Sequence, residues 1–232
     1  MASCAASLVM VALCVFGVAG SEDLLPYSAD AWGRCATLDT ESEEWAIQVP
    51  PEADFTIDLA EGALRFLGSA ESPALAPQAT LLEAVLPLEE QVCEVATVVD
   101  IEDLGGVLSL DVDDADGRYN WSLDVSASQV TFGFADTTCG CGPGWIRLAS
   151  LDESLWDPDR FKGRHVLRVV FERRLVRAYV DDLRIATFGL PIDVATSTIR
   201  LSVVSEHLPA AEGQDIGFTD LRILQLCLVD GS

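Results

Sequence analysis

The densest group of side chains that could do chemistry is an acidic segment near the middle of the chain. Hard cations such as Ca²⁺ need several oxygen ligands that converge on one point, and a short Asp-rich turn can supply them. The alternative is a solvated turn in which Asp and Gly only make the bend. The sequence therefore leaves two interpretations, a calcium site or a plain turn. The segment contains Asp111, Asp113, Asp114 and Asp116, followed by Gly117.

Carboxylate pairs at alternate positions of a strand are the second arrangement that could do chemistry, because both side chains then project from one face. Asp111 and Asp113 form one such pair, and Asp100 and Glu102 form another. Glycoside hydrolysis needs a general acid with a raised pKa, usually a Glu in an apolar pocket. We therefore expect both pairs to be structural, and the sequence favours a protein that is not an enzyme. Two acidic residues converging in a deep cleft would favour a hydrolase instead.

Two tryptophans are the candidate ligand-binding residues. Trp145 and Trp156 lie in segments rich in Gly, Pro and Asp, which are typical of loops. Sugars present apolar faces that stack on an indole ring, while nearby Asp or Asn side chains accept hydrogen bonds from the sugar hydroxyls. The alternative is that both tryptophans pack in the core.

An N-glycosylation sequon begins at Asn120 and ends at Ser122. Alternation along the strand places Asn120 on its polar face, where we expect the side chain to be exposed. The sequon predicts a glycoprotein if the source is a eukaryote. The alanine-rich, lysine-poor composition leaves a bacterial source open.

Residues 1–20 have the pattern of a secretory signal peptide. An apolar run from Leu8 to Val18 is too short to span a bilayer and is followed by small residues before Ser21. We expect a secreted protein, or a periplasmic one in a bacterium, with no membrane span in the rest of the chain. The expected organisation is a signal peptide over 1–20, an N-terminal extension over 21–44 tied by Cys35, and a β-sandwich domain over 45–232.

Cysteine usage agrees with an oxidising compartment. Removal of residues 1–20 leaves five of the seven cysteines, and most of them should pair as disulfides. The odd number leaves one thiol free, or available for a disulfide-linked dimer. Zinc is disfavoured because a single residue separates the two closest cysteines and no His lies near them. The five are Cys35, Cys93, Cys139, Cys141 and Cys227.

The charge balance excludes two classes of partner. The chain carries 38 acidic and 14 basic side chains, a formal net charge of −24. Nucleic acid and anionic lipid surfaces would be repelled by this charge. An acidic protein of this kind is soluble outside the cell and could attract calcium or basic proteins.

Hydrophobic alternation predicts an all-β fold. From Phe55 onward, short strand-like runs follow one another at near-regular spacing and are separated by Gly, Pro, Asp and Asn. The clearest hairpin has strands at residues 108–113 and 119–125, with a turn between them. Residues 164–188 predict three further strands, joined by turns at 172–174 and 181–182. The pattern is typical of a sandwich of two antiparallel sheets.

Residues 164–188 also carry a recognisable motif. Arg164-His165 opens a hydrophobic strand, and a strand with Tyr179 leads into an Asp181-Asp182 turn. This arrangement resembles laminin G-like and other concanavalin A-like jelly rolls, in which Trp-His and Asp-Gly occupy these places. The closing run at 216–223, with its Phe-x-Asp pattern, resembles the last strand of the same superfamily. The resemblance covers about residues 45–226.

The resemblance implies a concanavalin A-like jelly roll of two antiparallel sheets, with a particular disulfide arrangement. In such folds the first and last strands lie side by side, which implies a Cys35–Cys227 bond that clasps the two ends. The favoured partner of Cys93 is Cys139 or Cys141. The alternative is a Cys139–Cys141 bond, which would close a very small, strained ring. Some laminin G-like domains hold calcium at a hairpin rim, which agrees with the acidic segment.

Function follows less directly, because this fold includes lectins, adhesion modules and glycosidases. We expect a secreted, non-catalytic module that binds an extracellular glycan or glycoprotein, with calcium as the candidate ion. One alternative is a carbohydrate-active hydrolase similar to the 3-keto-glycoside hydrolase-like domains. Retaining glycosidases of this architecture carry Glu-x-Asp-x-x-Glu on one strand, and neither carboxylate pair here supplies two Glu in that register. The other alternative is a structural adhesion protein that acts through protein contacts.

Overall fold

The computed structural model describes residues 34–51, 53–70, 77–81, 92–114, 119–127, 129–136, 144–151, 162–172, 175–189, 197–204 and 216–231. The predicted signal peptide lies outside these residues. Within them no helix is long and apolar enough to cross a membrane. Regular structure in this part of the chain consists of strands.

Fifteen strands make up the described part of the fold, and hydrophobic alternation runs through most of them. In chain order they are β1 (Arg34–Cys35), β2 (Trp45–Gln48), β3 (Asp54–Ala60), β4 (Ala63–Ala70), β5 (Gln78–Leu81), β6 (Val92–Leu104), β7 (Val107–Asp114), β8 (Tyr119–Val125), β9 (Val130–Asp136), β10 (Gly144–Leu151), β11 (Gly163–Glu172), β12 (Leu175–Val180), β13 (Leu183–Gly189), β14 (Ser197–Val204) and β15 (Ile216–Gly231).

The strands form two antiparallel sheets. The eight-stranded sheet has the order β13-β12-β11-β6-β15-β4-β3, and β1 pairs with the far end of β15. The seven-stranded sheet has the order β10-β9-β8-β7-β14-β5-β2. Strands distant in sequence are therefore neighbours, since β14 lies between β7 and β5. The predicted sandwich of two antiparallel sheets is confirmed.

The turn predicted at Asp181-Asp182 is confirmed. The turn predicted at 172–174 falls mainly on residues outside the described part of the structure, between the end of β11 and the start of β12. Asp181 adopts a positive φ of 53°, which Asp tolerates better than most residues. Its Oδ1 accepts a hydrogen bond from the Val166 backbone at 2.9 Å, and its Oδ2 lies 3.0 Å from His165 Nδ1. His165 therefore helps to fix this turn.

The core lies between the two sheets and is continuous. Trp121 on β8 is fully buried and packs edge-to-face on Phe171 of β11, with ring centroids 5.4 Å apart. Phe134 on β9 also contacts Phe188 of β13 across the sandwich, with tilted rings whose centroids are 6.1 Å apart. Aromatic contacts of this kind add to the hydrophobic free energy of burial. They fix how the seven-stranded sheet sits on the eight-stranded one.

The disulfide implied by the resemblance is present. Cys35 on β1 and Cys227 on β15 face each other in the strand register and are bonded. The backbone of Cys93 lies in β6, but its side chain lies outside the described part of the structure, as do Cys139 and Cys141. Their pairing, and a dimer through the odd thiol, stay predictions. Electrophoresis without reductant would show a band at twice the monomer mass if that dimer forms.

Candidate functional site

One face of the seven-stranded sheet points away from the core and is lined by polar side chains; we call it the polar face. Because side chains alternate along a strand, the residues between the core positions of β7, β8, β9 and β14 share this side. The strand registers arrange them in rows, with Asp111 opposite both Ser122 and Arg200. The described polar residues of these four strands on this face are Ser109, Asp111, Asp113, Asn120, Ser122, Asp124, Thr131, Thr198, Arg200 and Ser202.

Most of this polar face is buried, unlike the solvated face that an antiparallel sheet usually presents. Asp111 is 7% exposed and Asn120 is 9% exposed. The more accessible side chains are Asp113 at 23% and Arg200 at 33%. Buried polar groups have lost water and need partners within the protein. The network among these residues is therefore the central property of the site.

Asp124 is the acceptor at the centre of one half of the network. Its Oδ1 accepts hydrogen bonds from Ser109 Oγ, at 2.7 Å, and from Ser122 Oγ. Thr131 Oγ1 makes a longer contact of 3.4 Å with the other oxygen, Oδ2. These hydroxyls come from three neighbouring strands. All three lie within hydrogen-bond distance of a single carboxylate.

Arg200 organises the other half of the network. Its Nε donates to Asp111 Oδ2 at 3.2 Å, and its Nη2 lies 3.7 Å from Asp113 Oδ2. Asn120 Nδ2 donates to the remaining Asp113 oxygen at 2.7 Å. One guanidinium therefore bridges two carboxylates on β7, and an amide from β8 fixes one of them.

Burial changes the acidity of Asp111. The loss of water around its carboxylate raises its pKa from the ordinary value of 3.8 to about 6. The positive charge of Arg200 and the neighbouring Ser122 hydroxyl oppose this shift, while the negative charges of Asp124 and Asp113 add to it. Asp111 can therefore gain or lose a proton near neutral pH, unlike an exposed aspartate.

The contribution of Asp111 to stability is expected to fall as the pH rises. Its raised pKa means that the folded protein holds the proton more tightly than the unfolded chain. This stabilisation is complete below pH 3.8 and is lost as the pH rises through about 6, a change of about 3 kcal/mol. The free energy of unfolding in urea should be measured for the wild type and for Asp111→Asn at about pH 4 and about pH 7.5. The difference between the two proteins should change by this amount between the two pH values. A difference that does not vary with pH would contradict the assignment.

The calcium prediction is only partly covered by the described residues. Asp111 and Asp113 are engaged by Arg200, so Asp111 is buried in an ion pair and does not lie in a solvated turn. The side chain of Asp114 and the whole of Asp116 lie outside the described residues. Among the residues that are described, no three acidic, His or Cys side chains form a group that could hold a metal. Calcium at this segment stays a prediction.

The expectation that Asn120 is exposed is wrong. Its side chain is largely buried, and its amide nitrogen bonds to Asp113. Alternation places the residue correctly on the polar face, but the pattern does not reveal that the face itself is shielded from water. Glycosylation at Asn120 stays a prediction that has lost the support of exposure.

The loop position expected for Trp145 is wrong, because its backbone lies in strand β10 opposite Ala135 of β9. The side chain of Trp145 is outside the described part. Trp156 lies wholly outside it. Stacking of a sugar on either ring stays a prediction.

Sequence reasoning missed Asp124 and Arg200, which are central to the network. A signal for Asp124 was present, because Asn120, Ser122 and Asp124 are polar at alternate positions of one strand. The same holds for Arg200, which alternates with Ile199 and Leu201. These patterns could have placed both side chains on the face of the sheet that points away from the core. The pairing of β14 with β7, which brings Arg200 to Asp111, is not visible in the sequence.

The outer face of the eight-stranded sheet has a different character. Arg65 makes a two-pronged ion pair with Asp220, at 2.7 and 3.0 Å, and Arg222 pairs with Glu102 at 3.2 Å. Exposed pairs of this kind contribute little to stability, about 0–1 kcal/mol each. They are solvated charges, in contrast to the buried network of the polar face.

No protein-family model matches this chain, and no curated protein sequence matches it either. Its fold, however, is similar to many solved structures. An endo-acting O-glycanase from members of the human gut microbiota is 11% identical, with a TM-score of 0.63 over 87% of this chain and 100% of that one. A glycoside hydrolase family 16 endo-glucanase from Bacteroides ovatus is 7% identical, with a TM-score of 0.61 over 84% and 99%.

A third similar structure is a binding domain. The carbohydrate recognition domain of Emp46p, in a potassium-bound form, is 14% identical, with a TM-score of 0.52 over 82% of this chain and 89% of that one. At these identities the likeness establishes the fold and leaves the activity open. The expectation drawn from the strand motifs is confirmed at that level. This chain has the concanavalin A-like jelly-roll fold.

Proposed function

We propose that this protein is an extracellular glycan-binding module and that the polar face holds the sugar. The observation that carries the proposal is the preorganised network around Arg200 and Asp113, which are its more accessible side chains. Sugar sites depend on a few polar groups held in fixed positions, so that a ligand hydroxyl finds its partner already oriented. A sheet face that only met solvent would not need such a network.

Two further observations support the proposal. The three similar structures described above are, by their names, a glycanase, a glucanase and a carbohydrate recognition domain. The Cys35–Cys227 disulfide supports a location outside the cell, where such bonds persist. A glycan or glycoprotein of the extracellular space is the partner that agrees with both the similar structures and the disulfide.

A glycan array tests the proposal, run once with calcium and once with a chelator. Binding to a defined class of sugar is the expected result, and loss of binding in chelator would support an ion near the acidic segment at residues 111–116. The array should be repeated with Arg200→Lys, which keeps the charge but loses the planar fork that reaches two carboxylates. We expect at least a tenfold loss of affinity.

The matched control is Arg222→Lys, because Arg222 lies on the outer face of the other sheet and pairs with Glu102. This variant should bind as the wild type does. Equal losses in both variants would show that the polar face is not the binding surface. The absence of binding to any glycan would overturn the proposed function.

A hydrolase is the second candidate, and Asp111 is the observation that favours it. A carboxyl with a pKa of about 6 suits a general acid, and Asp124 is a second carboxylate on the same face. The two lie on diagonal positions of neighbouring strands, a separation of about 7–8 Å between Cα atoms.

Release of reducing ends from polysaccharides would test the hydrolase. If Asp111 is the general acid, the rate should fall as the pH rises above about 6, because the acid must be protonated. Asp111→Asn should then abolish the activity while leaving glycan binding in place. If the protein binds a glycan but releases no reducing ends from it, the hydrolase is excluded and the non-catalytic module is the function.

A further inference from the structure

The polar face holds more hydrogen-bond acceptors than donors. The hydroxyls of Ser109 and Ser122 donate to Asp124, and Thr131 is directed at the same carboxylate. The Nε of Arg200 donates to Asp111. A hydroxyl has one proton to give. These four donors are thus directed at the protein's own carboxylates.

Asn120 shows the shortage of donors most clearly. Its Nδ2 donates to Asp113, but its Oδ1 is buried and has no hydrogen-bond partner. The opposite residue on β9 is Ala135, whose methyl group cannot donate. A buried acceptor without a partner has lost its hydrogen bond to water and gained nothing in exchange, which costs free energy. A ligand that brings its own donor would remove this cost.

Charge gives a second constraint on the ligand. The described part of the polar face has three carboxylates, Asp111, Asp113 and Asp124, and one guanidinium, Arg200. Arg200 contacts two of these carboxylates, so its positive charge is already compensated. An anionic sugar would meet uncompensated negative charge, and like charges in a partly buried site repel strongly.

We propose that the polar face selects neutral glycans, whose hydroxyls donate to Asp113 and Asn120, and rejects glycans that carry carboxylate or sulfate groups. The inference rests on the proposed glycan-binding function and adds the ligand class to it. Asp113 is the more accessible acceptor of the pair, and Asn120 Oδ1 is the deeper one. Selection is by the chemistry of donors and charge, and it does not depend on which neutral sugar is bound.

The test is an array of matched oligosaccharide pairs of equal length and linkage: glucan against glucuronan, mannan against mannuronan, and galactan against galacturonan. Each pair differs only by a hydroxymethyl or a carboxylate group on the ring. We expect the neutral member of at least one pair to bind and its uronate to bind at least tenfold more weakly. This ratio is measured on the wild-type protein and needs no variant.

Asp113→Asn then tests the assigned residue, since it removes one negative charge with little change in shape. We expect the ratio between neutral and uronate affinities to narrow by about tenfold. The matched control is Asp54→Asn, which removes the same charge from an exposed position on β3 of the other sheet. The control should leave the ratio as it is in the wild type.

The outcomes separate the inference from the function on which it rests. Uronates that bind as well as neutral sugars, or a ratio that Asp113→Asn leaves unchanged, would overturn the selectivity while glycan binding stands. No binding to any member of the array would overturn the proposed function itself. A neutral preference that Asp113→Asn reduces, and Asp54→Asn does not, would support both.

Discussion

Removal of the Cys35–Cys227 disulfide is expected to lower the free energy of unfolding by about 3–5 kcal/mol. The two cysteines are separated by 192 positions in the chain. Cross-linking so long a segment removes much of the conformational freedom of the unfolded chain, about 5 kcal/mol in the chain-entropy model. The bond also joins β1, which is only two residues long, to β15 at the position where Cys35 and Cys227 are register partners.

The measurement is urea unfolding of the wild type and of a variant with both Cys35→Ser and Cys227→Ser. A single substitution would leave a free thiol that could form a wrong bond. The control is the same pair of proteins in a strong reductant, where their unfolding midpoints should come together. Equal midpoints without reductant would contradict a stabilising role for the bond.

Arg200→Gln is expected to destabilise the protein by about 2–4 kcal/mol at about pH 8 and by less than about 1 kcal/mol at about pH 5. Without the guanidinium, Asp111 would be a buried carboxylate with no opposing positive charge from Arg200, and its pKa would rise above its present value of about 6. At high pH the Asp111 carboxyl of the folded variant must either stay ionised without the guanidinium or take up a proton, and both cost free energy. At low pH Asp111 is already protonated in the wild type, so little changes.

The pH dependence distinguishes this cause from a simple loss of packing. Unfolding should be measured for Arg200→Gln and for Arg222→Gln, whose ion pair with Glu102 is exposed. The control should change stability by less than about 1 kcal/mol at either pH. A loss in Arg200→Gln that is equal at both pH values would indicate packing of the side chain and would contradict a role in charge compensation.

Local pattern in the sequence was enough to predict the hairpins. The alternation over residues 108–125 gave β7 and β8, because a two-residue period is independent of distant contacts. The turn at Asp181-Asp182 followed from polar residues between two apolar runs. The disulfide came from the family resemblance, since two cysteines 192 positions apart have no local signal that would pair them.

The polar face could be predicted only in part. Alternation showed that Asp111 and Asp113 share a side of β7, but it cannot show whether that side meets water. The answer depends on neighbours brought together by long-range pairing: Arg200 is 89 positions from Asp111 and reaches it because β14 pairs with β7. The raised pKa of Asp111 follows from this burial, so it too could not be predicted from the sequence.

The bond between β1 and β15 also determines how the protein would carry a mechanical load. β15 runs between β6 on one side and β4 and β1 on the other, so it is an interior strand of its sheet. Tension applied to the chain ahead of Arg34 passes through the disulfide directly to this strand. Pulling would therefore load backbone hydrogen bonds to neighbours on both sides of β15, where tension on an edge strand would load those to one neighbour. A tether at this end would be anchored in the most strongly paired part of the sandwich.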